Sequence, residues 1–337
     1  MIGRVCKTAD SLFYFHNVYF IVNFQLSIFN LTHVEPFELY ILGCGSANPT
    51  QRHLPACQVL STHGKLFMID CGEGTQTRFA RCGLSMKRVG HIFISHAHAD
   101  HCLGLPGLIC TMSLLGRTSQ LHIHAPQELE SYLQAAMKLF CPNLEFEVIF
   151  HAVDTTKHQL VFEDRSIEVW SLPLRHRVPC CGYMFHEKPG QRHILRDIID
   201  MYEIPVSQIN NIKAGMDWTL PDGTTIPNER LTTPPSPTRS FAYCSDTTPL
   251  PSLVPMIKGV NLLFHEATFD QANEFRARQT FHSTTTEAAQ IARDAEVGQL
   301  IIGHYSSRMR DEAQMLAEAQ QIFPNTILAD EGQRINI

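Results

Sequence analysis

The sequence predicts an α/β fold in which strands outnumber helices. Three observations support this prediction: short apolar runs rich in β-branched residues recur along the chain, segments of helical periodicity separate them, and polar residues fall where the apolar runs end. The chain has 337 residues, of which 44% are hydrophobic and 18% are charged. It is therefore long enough to bury a large core and has the composition of a globular protein.

The individual elements follow from the same patterns. Nine runs have the length and residue content of strands: residues 37–46, 65–74, 91–96, 120–126, 144–153, 166–174, 241–246, 261–267 and 299–304. Five segments have apolar residues at helical spacing: residues 75–83, 105–116, 126–140, 285–296 and 310–323.

Two parts of the chain differ from this pattern. Residues 184–238 are rich in proline, and we interpret them as an inserted arm between two strands, with a helical piece near 193–202 and a turn at 221–224. Residues 1–35 are expected to be an N-terminal extension of unknown role, which leaves 36–337 as the main domain. The apolar part of the extension is too interrupted by polar residues for a good transmembrane helix, and no signal cleavage site follows it.

Charge and cysteine content narrow the function classes. The formal net charge of -6 excludes a general basic field that would attract nucleic acid or an anionic membrane, so a polyanionic partner needs a local basic patch. Arg308 and Arg310 are the candidates for such a patch. The eleven cysteines show no C-x-x-C spacing, and we interpret them as reduced thiols of a cytoplasmic protein.

The stretch "HAHADH" is the strongest chemical signal. It places His96, His98, Asp100 and His101 within six positions, directly after an apolar strand and directly before an apolar helix. Such groups are costly to bury together unless a cation holds them. Because four ligands from one turn cannot surround a single tetrahedral ion, the cluster favours two adjacent ions.

Further ligands are expected where other apolar runs end, because α/β sheets present functional groups there. His176, Asp246 and His304 have this position. We predict that one ion is bound by His96, His98 and His176 and the other by Asp100, His101 and His304, with Asp246 bridging the two. The predicted metal ligands are His96, His98, Asp100, His101, His176, Asp246 and His304.

Two ions about 3.5–4 Å apart lower the pKa of a shared water and stabilise the oxyanions formed in a displacement at phosphorus. Histidine and carboxylate ligation without a thiolate favours zinc, so we expect two Zn²⁺ per subunit, with Mn²⁺ as the alternative.

These motifs resemble the metallo-β-lactamase superfamily and, within it, the ribonuclease Z family of tRNA 3′-processing endonucleases. The matching pieces are "LGCGSANPT" (42–50), "IDCGEGTQTRF" (69–79), "SHAHADHCLGLPGLI" (95–109), "LRHRVPCCGY" (174–183), "SDT" (245–247), "HEATF" (265–269), "HSTTTEAA" (282–289) and "GHYSSR" (303–308). The resemblance implies a four-layer αβ/βα sandwich with two zinc ions, a precursor tRNA substrate and a homodimer without membrane contact.

The resemblance also assigns roles to single residues. It implies that Glu266 and His282 deliver a proton to the leaving oxygen, that Asp100 is catalytic as well as a ligand, and that Asp70 orients the metal-binding loop. His282 precedes Thr284-x-x-Glu287, a capping-box pattern that would fix the start of the next helix. The arm departs from the family, because it lacks the Gly-Pro and lysine-rich tip that the family's bacterial arms usually carry.

The leading hypothesis is therefore a zinc-dependent endoribonuclease that cleaves the 3′ trailer from precursor tRNA and leaves a 3′-hydroxyl on the tRNA. The altered arm supports an alternative, a hydrolase of small phosphodiesters or other esters on the same scaffold. A third alternative is a catalytically idle RNA-binding protein, which the complete set of ligands argues against.

Overall fold

Two seven-stranded mixed β-sheets form the centre of the protein in the computed structural model, which describes residues 35–337. The first sheet has the order β18-β1-β2-β3-β4-β5-β6, and its pairs are antiparallel from β18 to β3 and parallel from β3 to β6. Its strands are β1 (Phe37–Gly43), β2 (Cys57–Thr62), β3 (Lys65–Ile69), β4 (Val89–Phe93), β5 (Leu121–Ala125), β6 (Val148–Ala152) and β18 (Arg334–Asn336).

The second sheet has the order β17-β16-β15-β14-β9-β8-β7. Its pairs are parallel from β17 to β14 and antiparallel from β14 to β7. The strands are β7 (Leu160–Glu163), β8 (Ile167–Pro173), β9 (Cys181–Glu187), β14 (Ser240–Cys244), β15 (Leu262–Glu266), β16 (Gln299–Gly303) and β17 (Thr326–Leu328).

Helices cover the outer face of each sheet. On the first sheet lie α1 (Thr75–Arg81), α2 (Ala99–Cys102), α3 (Leu105–Leu114) and α4 (Leu129–Phe140), and an apolar cluster that includes Phe79, Leu108 and Ile123 fills the space beneath them. Helices α9 (Thr285–Asp294) and α10 (Glu312–Gln320) pack on the second sheet, and α8 (Glu274–Thr280) precedes them. A second apolar cluster lies between the sheets. The layers are thus helix, sheet, sheet, helix, which confirms the expected four-layer sandwich.

The predicted elements are confirmed, with different bounds. Each of the nine predicted runs overlaps a strand, although β4 begins at Val89 and β14 at Ser240, before the predicted starts, and each of the five predicted segments contains a helix. The sequence patterns missed β2, β7, β9, β17 and β18. The missed strands complete both sheets, so they change the strand count without changing the fold class.

The segment between β9 and β14 forms a small folded lobe. It contains two two-stranded sheets, β10 (His193–Ile194) with β13 (Thr232–Thr233) and β11 (Trp218–Thr219) with β12 (Thr225–Ile226). Its helices are α5 (Arg196–Met201), α6 (Val206–Lys213) and α7 (Asn228–Leu231). The lobe has its own apolar cluster around Ile204, Ile212, Ile226 and Leu231. Because β9 extends to Glu187, the excursion from the sheet covers residues 188–239.

Cysteine pairing differs from the expectation in one place. Cys110 in α3 and Cys141 after α4 form a disulfide, because the two helices pack side by side with the Cα atoms 6.0 Å apart. The remaining cysteines of the described part of the chain are free thiols. The expectation of reduced thiols throughout was therefore wrong for this pair, which nevertheless amounts to one link and not a disulfide framework.

Among residues 35–337, no helix has the length and hydropathy needed to cross a membrane. The expected N-terminal extension lies, apart from Glu35, outside the described residues.

Candidate metal centre

The predicted ligand cluster lies in the turn that follows β4. His96 and His101 are completely buried, and Asp100 and His101 lie in the short helix α2. The turn packs directly against the turn that follows β3: a Cβ atom on Gly104 would lie 2.2 Å from the carbonyl oxygen of Gly72. Glycine at position 104 is therefore needed for this close approach of the two backbones.

Four of the predicted ligands form a first group. The ligand atoms of His96, His98, His176 and Asp246 all lie within 4.8 Å of one another. Nδ1 of His98 is 3.0 Å from Nε2 of His96 and 3.2 Å from Nε2 of His176. Tetrahedral ligands at ~2.1 Å from a zinc ion lie about 3.4 Å apart, so these nitrogen separations fit a shared ion.

The other three predicted ligands form a second group. Nε2 of His101 lies 3.3 Å from Nε2 of His304, and Oδ2 of Asp100 lies 3.5 Å from both nitrogens. The main-chain N–H of Ala47 donates a hydrogen bond of 2.7 Å to the same Asp100 oxygen. The structure therefore brings together all seven predicted ligands, in the two groups that the sequence indicates.

Asp246 stands between the groups. Its Oδ2 lies 3.6 Å from Nε2 of both His96 and His176, and its Oδ1 lies 3.5 Å from Nε2 of His101 and 3.2 Å from Nε2 of His304. Oδ1 is buried and accepts no hydrogen bond from the residues described. A buried carboxylate oxygen without a donor is costly unless a cation faces it, so the donor set fits a pair of metal ions bridged by this side chain.

Burial favours the neutral ligand form of the histidines in the first group. Burial, together with the neighbouring imidazoles, lowers the pKa of His96 well below its usual value. Burial also lowers the pKa of His98 and of His176, against the opposing effect of Asp246. A neutral imidazole keeps the nitrogen lone pair that a metal ion requires. At His101 burial acts the same way, but the carboxylates of Asp100, Asp246 and Asp70 outweigh it and raise the pKa well above its usual value.

Asp70 lies behind this turn, as expected. Its Oδ2 is 2.8 Å from Nδ1 of His101, so the histidine can donate from Nδ1 and keep Nε2 for a metal ion. The same carboxylate accepts hydrogen bonds from the main-chain N–H of Ser95, at 2.8 Å, and from the hydroxyl of Tyr243, at 2.7 Å. Sequence reasoning missed Ser95 and Tyr243. The position of Ser95 directly before His96 could have indicated its role, whereas nothing in the sequence indicated the contact of Tyr243 with Asp70.

Glu266 and His282 form the second predicted pair, beside the ligands. Glu266, at the end of β15, is completely buried, and its Oε1 is 3.0 Å from Nδ1 of His282. The main-chain N–H groups of Ser283 and Thr247 donate to the same oxygen. The capping box of Thr284 and Glu287 is present at the start of α9, which fixes the chain just after His282.

The charges of this pair stabilise each other. Burial disfavours the charged imidazole of His282, but the Glu266 carboxylate outweighs this effect and raises the pKa of His282 to about 9. Burial likewise disfavours the Glu266 carboxylate, and the histidine lowers its pKa to about 2. The arrangement is an ion pair with a histidine that holds a proton at neutral pH. A ligand atom of His282 also lies within 4.8 Å of those of Asp246 and His304.

The two predicted RNA-contacting arginines are exposed on the chain segment after His304. Arg310, Ser306 and Glu312 line one side of a cavity of about 260 Å³, and the loop 45–53, which includes Asn48 and Arg52, lines the other. Arg308 is not among the residues that line this cavity. The lining residues Ser46 and Asn48 flank Ala47, which contacts Asp100, and the lining residue Tyr305 follows His304.

Comparison with solved structures identifies the fold. The short form of human tRNase Z is similar with a TM-score of 0.65 at 24% identity, over 88% of this chain and 98% of that chain. The metallo-β-lactamase fold protein YhfI from Bacillus subtilis is similar with a TM-score of 0.64 at 16% identity, over 90% of this chain and all of the other. The fold and the two ligand groups together define a protein of the metallo-β-lactamase fold.

Curated relatives define the family more narrowly. The chain is 52% identical to the ribonuclease Z of Parabacteroides distasonis over 301 residues, which are 89% of this chain and 99% of the relative. It is 53% identical to the ribonuclease Z of Bacteroides thetaiotaomicron over 304 residues, 90% of this chain and 96% of the relative. A family model described as anti-Pycsar protein Apyc1 matches residues 37–188. The chain belongs to the ribonuclease Z family.

Proposed function

We propose that this chain is a metal-dependent endoribonuclease that removes the 3′ trailer from precursor tRNA and leaves a 3′-hydroxyl on the tRNA. The position of Asp246, with one carboxylate oxygen toward each histidine group, is the observation that carries the proposal. Relatives named ribonuclease Z that match nearly their whole length support the choice of RNA as substrate.

The proposed cofactor is two Zn²⁺ per subunit, with Mn²⁺ as the alternative. His96, His98 and His176 would hold one ion and Asp100, His101 and His304 the other, and Asp246 would contribute an oxygen to each. When bound, the pair of ions supplies a hydroxide near neutral pH and stabilises negative charge on the phosphate oxygens. The histidine-rich, thiolate-free ligand set supports zinc over softer or harder metals.

The chain's own residues complete the chemistry. Water adds to the phosphorus atom, the bond between phosphorus and the 3′-oxygen breaks, and that oxygen needs a proton to become the 3′-hydroxyl. His282 donates this proton from Nε2, because Nδ1 is engaged with Glu266. The ion pair with Glu266 keeps the histidine protonated at neutral pH, which supports its role as the acid.

We propose that RNA reaches the site along the surface of Arg308 and Arg310. With a net charge of -6, the protein needs local cations to hold a polyanion. Arg52 and Arg310 both line the cavity near His304, and Arg52 also pairs with Glu312 of the lining at 2.9 Å. The position of the cavity supports contact with phosphates beside the scissile bond.

We propose that the arm binds the body of the tRNA. The arm covers about residues 184–238 of a domain that covers 36–337. It differs from a basic arm, since residues 188–239 contain as many acidic as basic side chains. Among them, Met201, Val206 and Met216 are exposed. We therefore propose that the arm recognises tRNA by its shape and through apolar contacts, and not through charged contacts with phosphates.

A homodimer is part of the proposal. Leu114 at the end of α3 and Leu139 and Phe140 at the end of α4 are exposed, and the Cys110–Cys141 link keeps these helix ends together. An exposed apolar patch of this kind is typical of protein interfaces. We assign the patch to a second copy of the chain. The proposed location is the cytoplasm, where precursor tRNA is processed. Sedimentation of the wild type and of a Leu139→Glu variant tests the assembly.

One assay tests the activity. The purified protein is incubated with Zn²⁺ and a 3′-extended precursor tRNA, and in parallel with bis(p-nitrophenyl) phosphate. Cleavage after the discriminator base that Asp100→Ala abolishes is the expected result. Hydrolysis of the small diester without cleavage of precursor tRNA would instead establish a small-phosphodiester hydrolase.

A further inference from the structure

Thr268, two residues after Glu266, lies between the proton-donor pair and a metal ligand. Its side chain is almost fully buried, with 1% of the residue exposed. The hydroxyl donates a hydrogen bond of 2.7 Å to Oε2 of Glu266 and lies 2.9 Å from Nδ1 of His304. The same oxygen lies 3.2 Å from Nδ1 of His282, which is closer to Oε1 of Glu266, at 3.0 Å.

The direction of these hydrogen bonds is fixed by chemistry. A carboxylate accepts only, so the single hydroxyl proton of Thr268 must point to Glu266. The oxygen lone pairs of Thr268 then face His304, which has to donate from Nδ1. Nε2 of His304 is thereby left with its lone pair toward Asp246, 3.2 Å away.

The two carboxylate oxygens of Glu266 thus interact with two different histidines. Oε1 contacts His282 directly, and Oε2 reaches His304 through Thr268. The other ligand of the second group, His101, is held by a carboxylate without an intermediate, that of Asp70. Thr268 therefore does for His304 what Asp70 does for His101, with the charge of Glu266 transmitted through a hydroxyl.

We propose that Thr268 is a positioning residue, which fixes the Nδ1–H tautomer of His304 and so couples the Glu266–His282 pair to the second metal group. Only the effect of Thr268 on catalysis rests on the proposed function. The tautomer and the metal affinity follow from the hydrogen bonds alone.

The first test needs no variant. In metal-free wild-type protein at pH 8, long-range ¹H–¹⁵N correlation of the imidazole ring shows which nitrogen of His304 carries the proton. The Nδ1–H tautomer is expected. The Nε2–H tautomer would overturn the proposal, whether or not the protein cleaves RNA.

The second test uses matched variants. Thr268→Val removes the hydroxyl at nearly constant shape, and Thr268→Ser keeps it. Chelator competition should show the zinc affinity of the second group, Asp100, His101 and His304, reduced by about 10–100-fold in Thr268→Val, the usual effect of losing a partner of a ligand. Thr268→Ser should retain the wild-type affinity.

Thr285→Val is the control for general damage to this region. Thr285 is as buried as Thr268, but its hydroxyl donates to Glu318, away from the metal groups. Thr285→Val should leave zinc affinity unchanged. Equal zinc affinity in Thr268→Val and wild type, or equal losses in Thr268→Val and Thr285→Val, would refute a specific role for the Thr268 hydroxyl.

Discussion

Oε1 of Glu266 lies 3.0 Å from Nδ1 of His282, and the glutamate is completely buried. This contact orients the ring and holds a proton on it without using the histidine as a ligand. His282→Asn should slow cleavage of precursor tRNA by roughly 100- to 10,000-fold, the range for loss of a general acid. Metal content, measured by elemental analysis, should stay at the wild-type value. A parallel loss of metal would show that His282 is a ligand with Asp246 and His304.

The pH dependence of cleavage should follow the same ion pair. Because the pKa of His282 is raised to about 9, the acid is protonated below that pH, and the rate should fall as the pH rises above about 9. In Glu266→Gln the carboxylate charge is lost, so the alkaline limb should move down toward ~6.5. Single-turnover cleavage between pH 6 and 10 measures both profiles. Identical alkaline limbs in the two proteins would exclude His282 as the group that titrates.

Asp246 is expected to be essential for both ions. Asp246→Asn keeps the size of the side chain but removes the charge between the two histidine groups, so bound zinc should fall from two ions to at most one. The loss of cleavage should exceed the ~10–100-fold that follows removal of a residue that only hydrogen-bonds a ligand. Metal analysis together with cleavage assays checks this. Two ions retained in Asp246→Asn would show that the carboxylate does not bridge.

The arm should affect large substrates only. Replacing residues 189–237 with a short Gly-Ser linker removes the lobe and its apolar cluster but keeps Glu187 and Arg239. The KM for precursor tRNA should rise, while hydrolysis of bis(p-nitrophenyl) phosphate stays near the wild-type rate, because a remote lobe contributes binding energy only to a substrate that reaches it. Equal losses on both substrates would mean that the lobe supports the sheet.

Two histidines of a four-histidine cluster between the sheets, His91 and His124, should make the protein sensitive to acid. His91, His122, His124 and His151 lie on neighbouring strands, with nitrogen separations of 3.1 Å between His91 and His124 and 2.9 Å between His122 and His151. Burial and the neighbouring histidines lower the pKa of His91 to about 4 and that of His124 to about 2. Asp164 opposes this shift at His91 too weakly to cancel it.

The sign follows from proton uptake. Below pH ~6.5 the unfolded chain protonates His91 and His124 while the folded protein keeps them neutral, so the free energy of unfolding should fall by up to ~1.4 kcal/mol per pH unit for each. His124→Phe, which can stack on Phe93 as His124 does, should lose less stability between pH 7.5 and 5.5 than wild type. Urea unfolding at both pH values measures the difference. An unchanged acid loss in the variant would show that His124 does not cause it.

The candidate ligands could be selected from the sequence for a physical reason. Four of them fall in one turn, and His176, Asp246 and His304 follow apolar runs, so local patterns alone marked them. The fold was also largely readable, except where a strand has no alternation: β2 is buried on both faces for most of its length. Strand β9 was misread in part as the start of the arm, because its end at Glu187 precedes a proline-rich stretch.

The supporting residues were not predictable in the same way. Tyr243 contacts Asp70 across 173 positions of sequence, and this contact exists only because the two sheets stack. The cysteine pair was missed because Cys110 and Cys141 are 31 residues apart with no spacing signal. Patterns within one element indicate candidate ligands, whereas contacts between distant elements require the folded chain.

Glu187 and Arg239 close the base of the arm. Their side chains form an ion pair at 2.7 Å, and the main-chain N–H of Glu187 donates to the carbonyl oxygen of Arg239. Strands β9 and β14 thus stay in register whatever length of chain leaves and returns between them, since loop-closure entropy grows only slowly with length. We therefore expect that the lobe can be lengthened, shortened or exchanged without shifting His176 or Asp246. Substrate selection by the lobe and cleavage at the metal centre can then change independently.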